Sequence, residues 1–213
     1  MLTRREFGTI AALGLGGTAG CLDFVTGDGP FEASSEPVWV SEEALNESGY
    51  DEERTDTMVI ERHFERVDRD VRVTNHLGEY QRSVELPILG EGRLGVFAVV
   101  STPRVSIAGQ TLNPVAHMDD EELAERFQSR YDEIEDIERI GSDTVTILGE
   151  EGDISRFDAT SEVEGEAIDL RMHLGQVEHE EDVIVVIGAY PEDLADREEG
   201  NFFTLAEGVE HGE

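Results

Sequence analysis

The stretch Val183-Ile184-Val185-Val186-Ile187 lies near the end of the chain and is apolar at every position. Such a run predicts a strand that is covered on both faces of its sheet. A second continuous apolar run, residues 94–100, predicts another central strand, which ends at Pro103. We therefore expect a sheet with buried strands at its centre.

Alternating and strand-like segments extend the predicted sheet in both directions along the chain. Residues 58–66 are interpreted as a strand of period two, with Met58, Ile60 and Phe64 on one parity and Glu61, His63 and Glu65 on the other. Residues 71–74 and 80–86 are strand-like as well, with a hairpin turn predicted at residues 68–70. Four more strands are predicted at residues 144–148, 154–160, 167–176 and 182–190, joined by turns at 149–152 and 178–181.

Helices are predicted around these strands. Ser41 caps a short helical turn, and Asp119 caps a longer helix that has Glu122 three residues later, as in a capping box. Residues 202–209 predict a closing amphipathic helix. The apolar stripe of the middle helix comprises Leu123, Phe127, Tyr131 and Ile134. The order of elements predicts the α+β class, an antiparallel β-sheet flanked by helices in an α/β/α sandwich, as a single domain of residues 38–213.

The composition is strongly acidic, with 50 Asp and Glu against 16 basic residues, all of them arginine, and a net charge of −34. This charge excludes the cationic surface that nucleic acids require, so no nucleic-acid partner is expected. It also destabilises a compact state unless salt screens it, and at about 1 M salt the Debye length falls to roughly 3 Å. Acidity without lysine resembles the proteins of extremely halophilic archaea.

The N-terminus carries an export signal. Arg4 and Arg5, followed by Phe7, match the twin-arginine pattern. Residues 8–20 form a weakly apolar stretch that is too short to span a membrane and suits a signal peptide. The four residues that end in Cys21 resemble a lipobox, in which the cysteine accepts lipid after cleavage, although Thr18 stands where leucine is usual. The pattern predicts a signal peptide of residues 1–20.

After cleavage, Cys21 would anchor the chain to the extracytoplasmic face of the membrane. Residues 21–37 then predict a lipidated cysteine and a flexible tether, because the segment is rich in glycine, serine and acidic residues. With its only cysteine used in this way, the chain has no disulfide and no thiolate metal cluster.

From Arg93 onward the chain resembles the fold shared by the PsbP proteins, extrinsic proteins of photosystem II, and the nuclear protein Mog. The resembling features are residues 97–103, the helix with Phe127, and the strands at 156–160 and 183–191. The resemblance implies a PsbP-like fold for residues 93–213 and an accessory or binding role. The whole chain is similar to uncharacterised haloarchaeal lipoproteins that use twin-arginine export.

No catalytic motif is present. The sequence lacks a Gly-x-Ser-x-Gly elbow, a P-loop, a dinucleotide-binding glycine motif, an EF-hand loop and the HExxH pattern. We therefore expect a protein that is not an enzyme and that has no cofactor. The predicted function is a non-catalytic binding or accessory role for a monomeric lipoprotein, with the membrane and a membrane or surface protein as its partners.

The alternative is a metal-binding carrier or a metal-dependent hydrolase. Of the six histidines, His173 and His179 share a strand parity and adjoin four acidic residues, Glu178 and residues 180–182. Imidazole together with carboxylates suits zinc or manganese. His173 and His179 are the candidate metal ligands. Strand alternation predicts that Met172 points inward and His173 points outward, which argues against a metal site shared by these two neighbours.

Overall fold

The computed structural model describes residues 30–64, 69–86, 90–104, 106–107, 110–111, 118–128, 134–163 and 166–212. The predicted signal residues Arg4, Arg5 and Phe7 and the predicted anchor Cys21 lie outside these ranges. The elements in chain order are β1 (Phe31–Ser34), β2 (Val38–Val40), α1 (Glu42–Ser48), β3 (Asp51–Phe64), β4 (Arg69–Leu86), β5 (Gly90–Pro103), β6 (Ser106–Ile107), β7 (Gln110–Thr111), α2 (Asp120–Gln128), β8 (Ile134–Ile147), β9 (Glu150–Val163), β10 (Glu166–His179), β11 (Asp182–Pro191), a 3-10 turn (Glu192–Leu194), α3 (Ala195–Glu207) and β12 (Val209–His211).

A single large sheet organises the chain, with strand order β3-β4-β5-β11-β10-β9-β8. Neighbours in this order are antiparallel, and β1 adds a short parallel pairing to the start of β4. The two apolar runs lie side by side at the centre, with Val185 opposite Val100 and Val186 opposite Val99. The predicted central strands and the antiparallel arrangement are confirmed.

One face of the sheet carries the larger core. Ile184 and Val186 of β11 face Phe202 and Leu205 of α3, and the Phe202 ring lies 5.7 Å from that of Phe97. Gly188 on β11 leaves the room that Phe202 fills, because a Cβ there would collide with the ring. α1 and the small β2–β12 sheet complete this layer.

The other face is covered by α2 over β9 and β10. Leu123 and Ala124 pack on Phe157, Met172 and Leu174. The helix begins with a reciprocal capping box: the Glu122 backbone N–H donates to the Asp119 carboxylate over 2.9 Å, and the Asp119 N–H donates to Glu122 over 3.2 Å. The predicted helix start is confirmed.

The predicted end of this helix is wrong, because Gln128 is its last residue and Ile134 begins β8. The side-chain amide of Gln128 donates to the Ile134 carbonyl over 3.0 Å and holds the connection to β8. Ile134 still packs against the core cluster of α2, but it does so from the sheet. Apolar spacing alone cannot distinguish these two placements.

The sandwich expectation also needs correction. The structure is mostly β-strand with few helices, so it is a mainly-β sheet rather than a helix-flanked α/β/α sandwich. Most positions along β3 are exposed on both parities, and much of the first half of β8 is exposed as well. β3 therefore has no covering layer, whereas the second half of β8 contributes Val145 and Ile147 to the larger core.

The N-terminal part of the described chain is engaged in the sheet. β1 falls within residues 21–37, which the sequence predicts as a tether, and Phe31 pairs with Val71. A flexible spacer after Cys21 would therefore end at about Pro30. Within the described ranges, every helix is too short or too polar to cross a membrane.

Candidate functional site

The structure brings two histidines and a carboxylate together at one end of the sheet. His179 ends β10, Glu180 follows it in the turn, and His211 ends β12; we call these three residues the histidine corner. Their potential ligand atoms lie within 4.8 Å of one another. The two imidazole rings are 5.4 Å apart between centroids and nearly perpendicular, at 83°.

The turn between β10 and β11 positions His179 and Glu180. His179 pairs with Asp182 across the turn, and Glu180 adopts the left-handed conformation with φ 53°. Arg104, just after β5, clamps this turn: its guanidinium donates to Glu178 over 2.6 Å and to the Glu180 carbonyl over 2.5 Å. The turn is therefore tied to the neighbouring strand.

The β2–β12 pairing positions His211. His211 pairs with Val38, and the next residue, Gly212, donates its N–H to the Pro37 carbonyl over 3.1 Å. The His211 side chain is 1% exposed, and its Nε2 lies 3.0 Å from the Asp182 carboxylate. Since a carboxylate accepts, Nε2 is the donor here, and in the neutral imidazole Nδ1 is then the nitrogen with the lone pair. Nδ1 is buried and has no hydrogen-bond partner among the described residues.

Asp182 holds several segments together behind the corner. Besides His211, its carboxylate accepts the Glu36 backbone N–H over 2.8 Å and the Ser101 hydroxyl over 3.3 Å. Ser35 donates to the Ser101 carbonyl over 2.9 Å, so the chain between β1 and β2 is fixed to the end of β5. The orientation of His211 is consequently set by a buried network.

Ser101, His211 and Asp182 have the residue types of a hydrolase triad, but their geometry differs. In a triad the two imidazole nitrogens have different partners, the serine at one and the aspartate at the other. Here both Ser101 and Asp182 approach the same nitrogen, Nε2, at 3.2 and 3.0 Å. Ser101 is also fully buried. The arrangement fixes a histidine and does not activate a nucleophile.

The structure does not bring the two predicted ligands together. His173 and His179 are six residues apart on β10, which is about 20 Å at roughly 3.3 Å per residue. The prediction that His173 points outward is wrong, because α3 covers this face and His173 is 0% exposed. His179 has a different histidine neighbour, His211, which the sequence did not suggest because only the β2–β12 pairing places it there.

His173 is part of the aromatic core. Its ring stacks on Phe202 at 4.6 Å, and its Nε2 is hydrogen-bonded to the Tyr190 hydroxyl over 2.6 Å. Burial, together with the positive charges of Arg156 and Arg171, lowers the pKa of His173 to about 4. The imidazole is therefore neutral near pH 7, and burial raises the pKa of Tyr190.

A second polar cluster lies inside the larger core. Glu198 of α3 is 1% exposed and forms an ion pair with Arg82 of β4. The Tyr50 hydroxyl and the Asn201 amide each donate to the same carboxylate over 3.1 Å. Burial and the charge of Glu198 raise the pKa of Tyr50. This cluster joins α3 to the sheet, and its donors and acceptors satisfy one another.

These features define a mainly-β domain with a polar, histidine-containing end. The chain belongs to the DUF6517 family, a domain of unknown function, whose model matches residues 37–210. The match covers most of the domain of residues 38–213 that the sequence predicts. It includes two residues of the histidine corner, His179 and Glu180, and ends one residue before His211. Among curated proteins, none matches the chain.

Three solved structures are similar to the chain. The cyanobacterial PsbP, CyanoP, from Synechocystis sp. PCC 6803 has 13% identity and a TM-score of 0.37, with 84% of this chain and 94% of that chain covered. PA94 from Pseudomonas aeruginosa, of unknown function and described as a putative regulator, has 13% identity and a TM-score of 0.34, with coverage of 70% and 94%.

The third is LpqN from Mycobacterium tuberculosis, described as involved in cell envelope biogenesis. It has 6% identity and a TM-score of 0.30, with 82% of this chain and 98% of that chain covered. CyanoP is a PsbP protein, the family that residues 93–213 resemble in sequence. At these scores the likeness establishes no function.

Proposed function

We propose that the chain is a lipoprotein, anchored through Cys21 to the extracytoplasmic face of the membrane, with a non-catalytic binding or accessory role. The proposal combines the twin-arginine and lipobox motifs of the N-terminus with the position of β1. Phe31 begins the sheet, so nine residues, 22–30, remain between the cysteine and the fold. Fully extended, they reach about 30 Å. The domain would therefore sit close to the membrane surface.

The strand directions indicate which end would face the membrane. β1 runs parallel to the start of β4, so its first residue, Phe31, lies at the end of the sheet where β4 starts. The end of β5 and the start of β11 lie at this same end. The turn with Glu180 lies at this same end, because His179 pairs with Asp182. The anchored domain would carry the histidine corner on its membrane-proximal end.

A non-catalytic role is supported by how the polar groups are used. The Ser101 hydroxyl donates to the Asp182 carboxylate, and both groups lie within hydrogen-bond distance of Nε2 of His211. The Glu198 carboxylate is paired with Arg82 and accepts a hydrogen bond from Tyr50. The proposal includes a monomeric domain that works with a protein partner at the membrane or cell surface. Such a partner would be held near the membrane by the same anchor.

The test is membrane fractionation of the Cys21→Ala variant in molar salt, with Thr26→Ala in the same segment as the matched control. We expect Cys21→Ala to appear in the soluble fraction and Thr26→Ala to stay with the membrane. The Arg4→Lys and Arg5→Lys double variant should remain inside the cell. Membrane retention of Cys21→Ala would refute the anchor. Co-purification with the anchored form then tests for the accessory role, which predicts a stoichiometric protein partner.

A further inference from the structure

We propose that the histidine corner binds one divalent transition-metal ion of the zinc class, with Nδ1 of His211, one nitrogen of His179 and the Glu180 carboxylate as ligands. The inference goes beyond the proposed anchoring because it concerns a ligand of the domain itself. It depends on the geometry of the corner alone, and lipid attachment at Cys21 neither supports nor contradicts it.

The spacing of the three groups suits such an ion. Two ligand atoms at about 2.05 Å from a tetrahedral zinc ion are roughly 3.3 Å apart. Each residue of the corner offers one ligand atom within 4.8 Å of those of the other two, so each of these distances must close by at most about 1.5 Å. His179 is only partly buried and Glu180 is exposed, so both side chains have room to turn toward His211.

His211 is already arranged as a metal ligand. Its Nδ1 is buried and has no hydrogen-bond partner among the described residues, which is costly unless another group binds there. Its Nε2 donates to the Asp182 carboxylate over 3.0 Å. Metal-binding imidazoles commonly donate their other nitrogen to a carboxylate, which fixes the ring and raises its basicity.

The surrounding charge favours a cation, but it does not explain the site by itself. Arg104 pairs with Glu178 and bonds the Glu180 carbonyl, so it holds the turn and offsets one of the nearby acids. Glu180 and Asp182 remain as negative groups beside the two imidazoles. Two imidazoles favour zinc, nickel or cobalt over magnesium and calcium, which prefer oxygen ligands. This preference separates the corner from the acidic surface elsewhere.

The experiment is a titration of the full chain with Co²⁺ and then Zn²⁺, in molar KCl with excess Mg²⁺ to occupy non-specific carboxylates. The Cys21→Ala background removes the thiol as a competing ligand. We expect one Co²⁺ per chain with the visible absorption of a nitrogen-containing site, displaced by stoichiometric Zn²⁺. His179→Ala should weaken Zn²⁺ binding by at least about 100-fold, and Asp182→Asn by about 10- to 100-fold.

The matched control is His63→Ala, which removes an exposed histidine paired with Asp70 on the β3–β4 hairpin. It should leave both the Co²⁺ spectrum and the Zn²⁺ affinity unchanged. Because His179 is at the surface, its variant should fold even if His211 variants do not, so the outcome remains decisive. Equal Zn²⁺ affinity in His179→Ala and in the parent would overturn the proposal, as would binding that excess Mg²⁺ abolishes. Neither result would affect the fractionation test of the anchor.

Discussion

Removal of the buried Glu198 carboxylate should destabilise the domain more than any change to a surface acid. Glu198 is 1% exposed and the Arg82 side chain is 10% exposed, so the Glu198→Ala variant leaves a guanidinium buried without its counter-charge. Breaking one partner of a buried ion pair costs about 3–5 kcal/mol. The Tyr50 hydroxyl and the Asn201 amide, each 3.1 Å from this carboxylate, lose their acceptor as well.

We therefore expect a loss of about 4 kcal/mol in the free energy of unfolding, the middle of the range for a broken buried pair. For a chain of this size, that corresponds to a fall in Tm of roughly 8–16 °C. Equilibrium urea unfolding and a thermal melt in molar KCl measure both quantities. The matched control is Glu199→Ala, which removes the next acid along α3, a partly exposed partner of Arg156. It should cost less than about 1 kcal/mol.

The double variant Arg82→Met with Glu198→Leu separates the charge effect from packing. Replacing both partners of a buried pair by apolar residues of similar volume is often neutral or stabilising, so the double variant should recover most of the loss. If Glu198→Ala costs under about 1 kcal/mol, or if the double variant is no more stable than Glu198→Ala, the reasoning from a buried uncompensated charge is refuted.

Three further outcomes follow from named groups. The pKa of buried His173 is about 4, whereas its unfolded value is near 6.5, so unfolding takes up a proton between these pH values. The His173 contribution to the free energy of unfolding should therefore fall by about 3 kcal/mol from pH 7 to pH 4. The pH dependence of the difference in urea midpoint between the parent and His173→Gln measures this contribution. Glu180→Gly should raise the unfolding free energy by about 1 kcal/mol, since φ is 53° there; a lower Tm would contradict this. With a charge of −34, Tm should rise by several degrees from low salt to molar KCl, and a flat profile would count against charge repulsion.

The sequence determined the centre of the fold and the start of its middle helix. The apolar runs at 94–100 and 183–187 predicted buried central strands, because burial on both faces requires apolar side chains at both parities. The Asp119 and Glu122 pair predicted the helix start, because a capping box is a local exchange of hydrogen bonds. The signal residues and Cys21 stay a prediction, which the described residues do not test.

Only the tertiary structure decided which face His173 occupies and which residues surround His179. Alternation along β10 shows that Met172 and His173 point in opposite directions, but α3 covers the second face as well, so both side chains are buried. The neighbour of His179 comes from β12, which is held in place by pairing with β2, a strand about 140 residues before His179 in the sequence. Periodicity and capping depend on neighbouring residues, whereas the histidine corner depends on contacts between segments far apart in the chain, and these form only when the whole core packs.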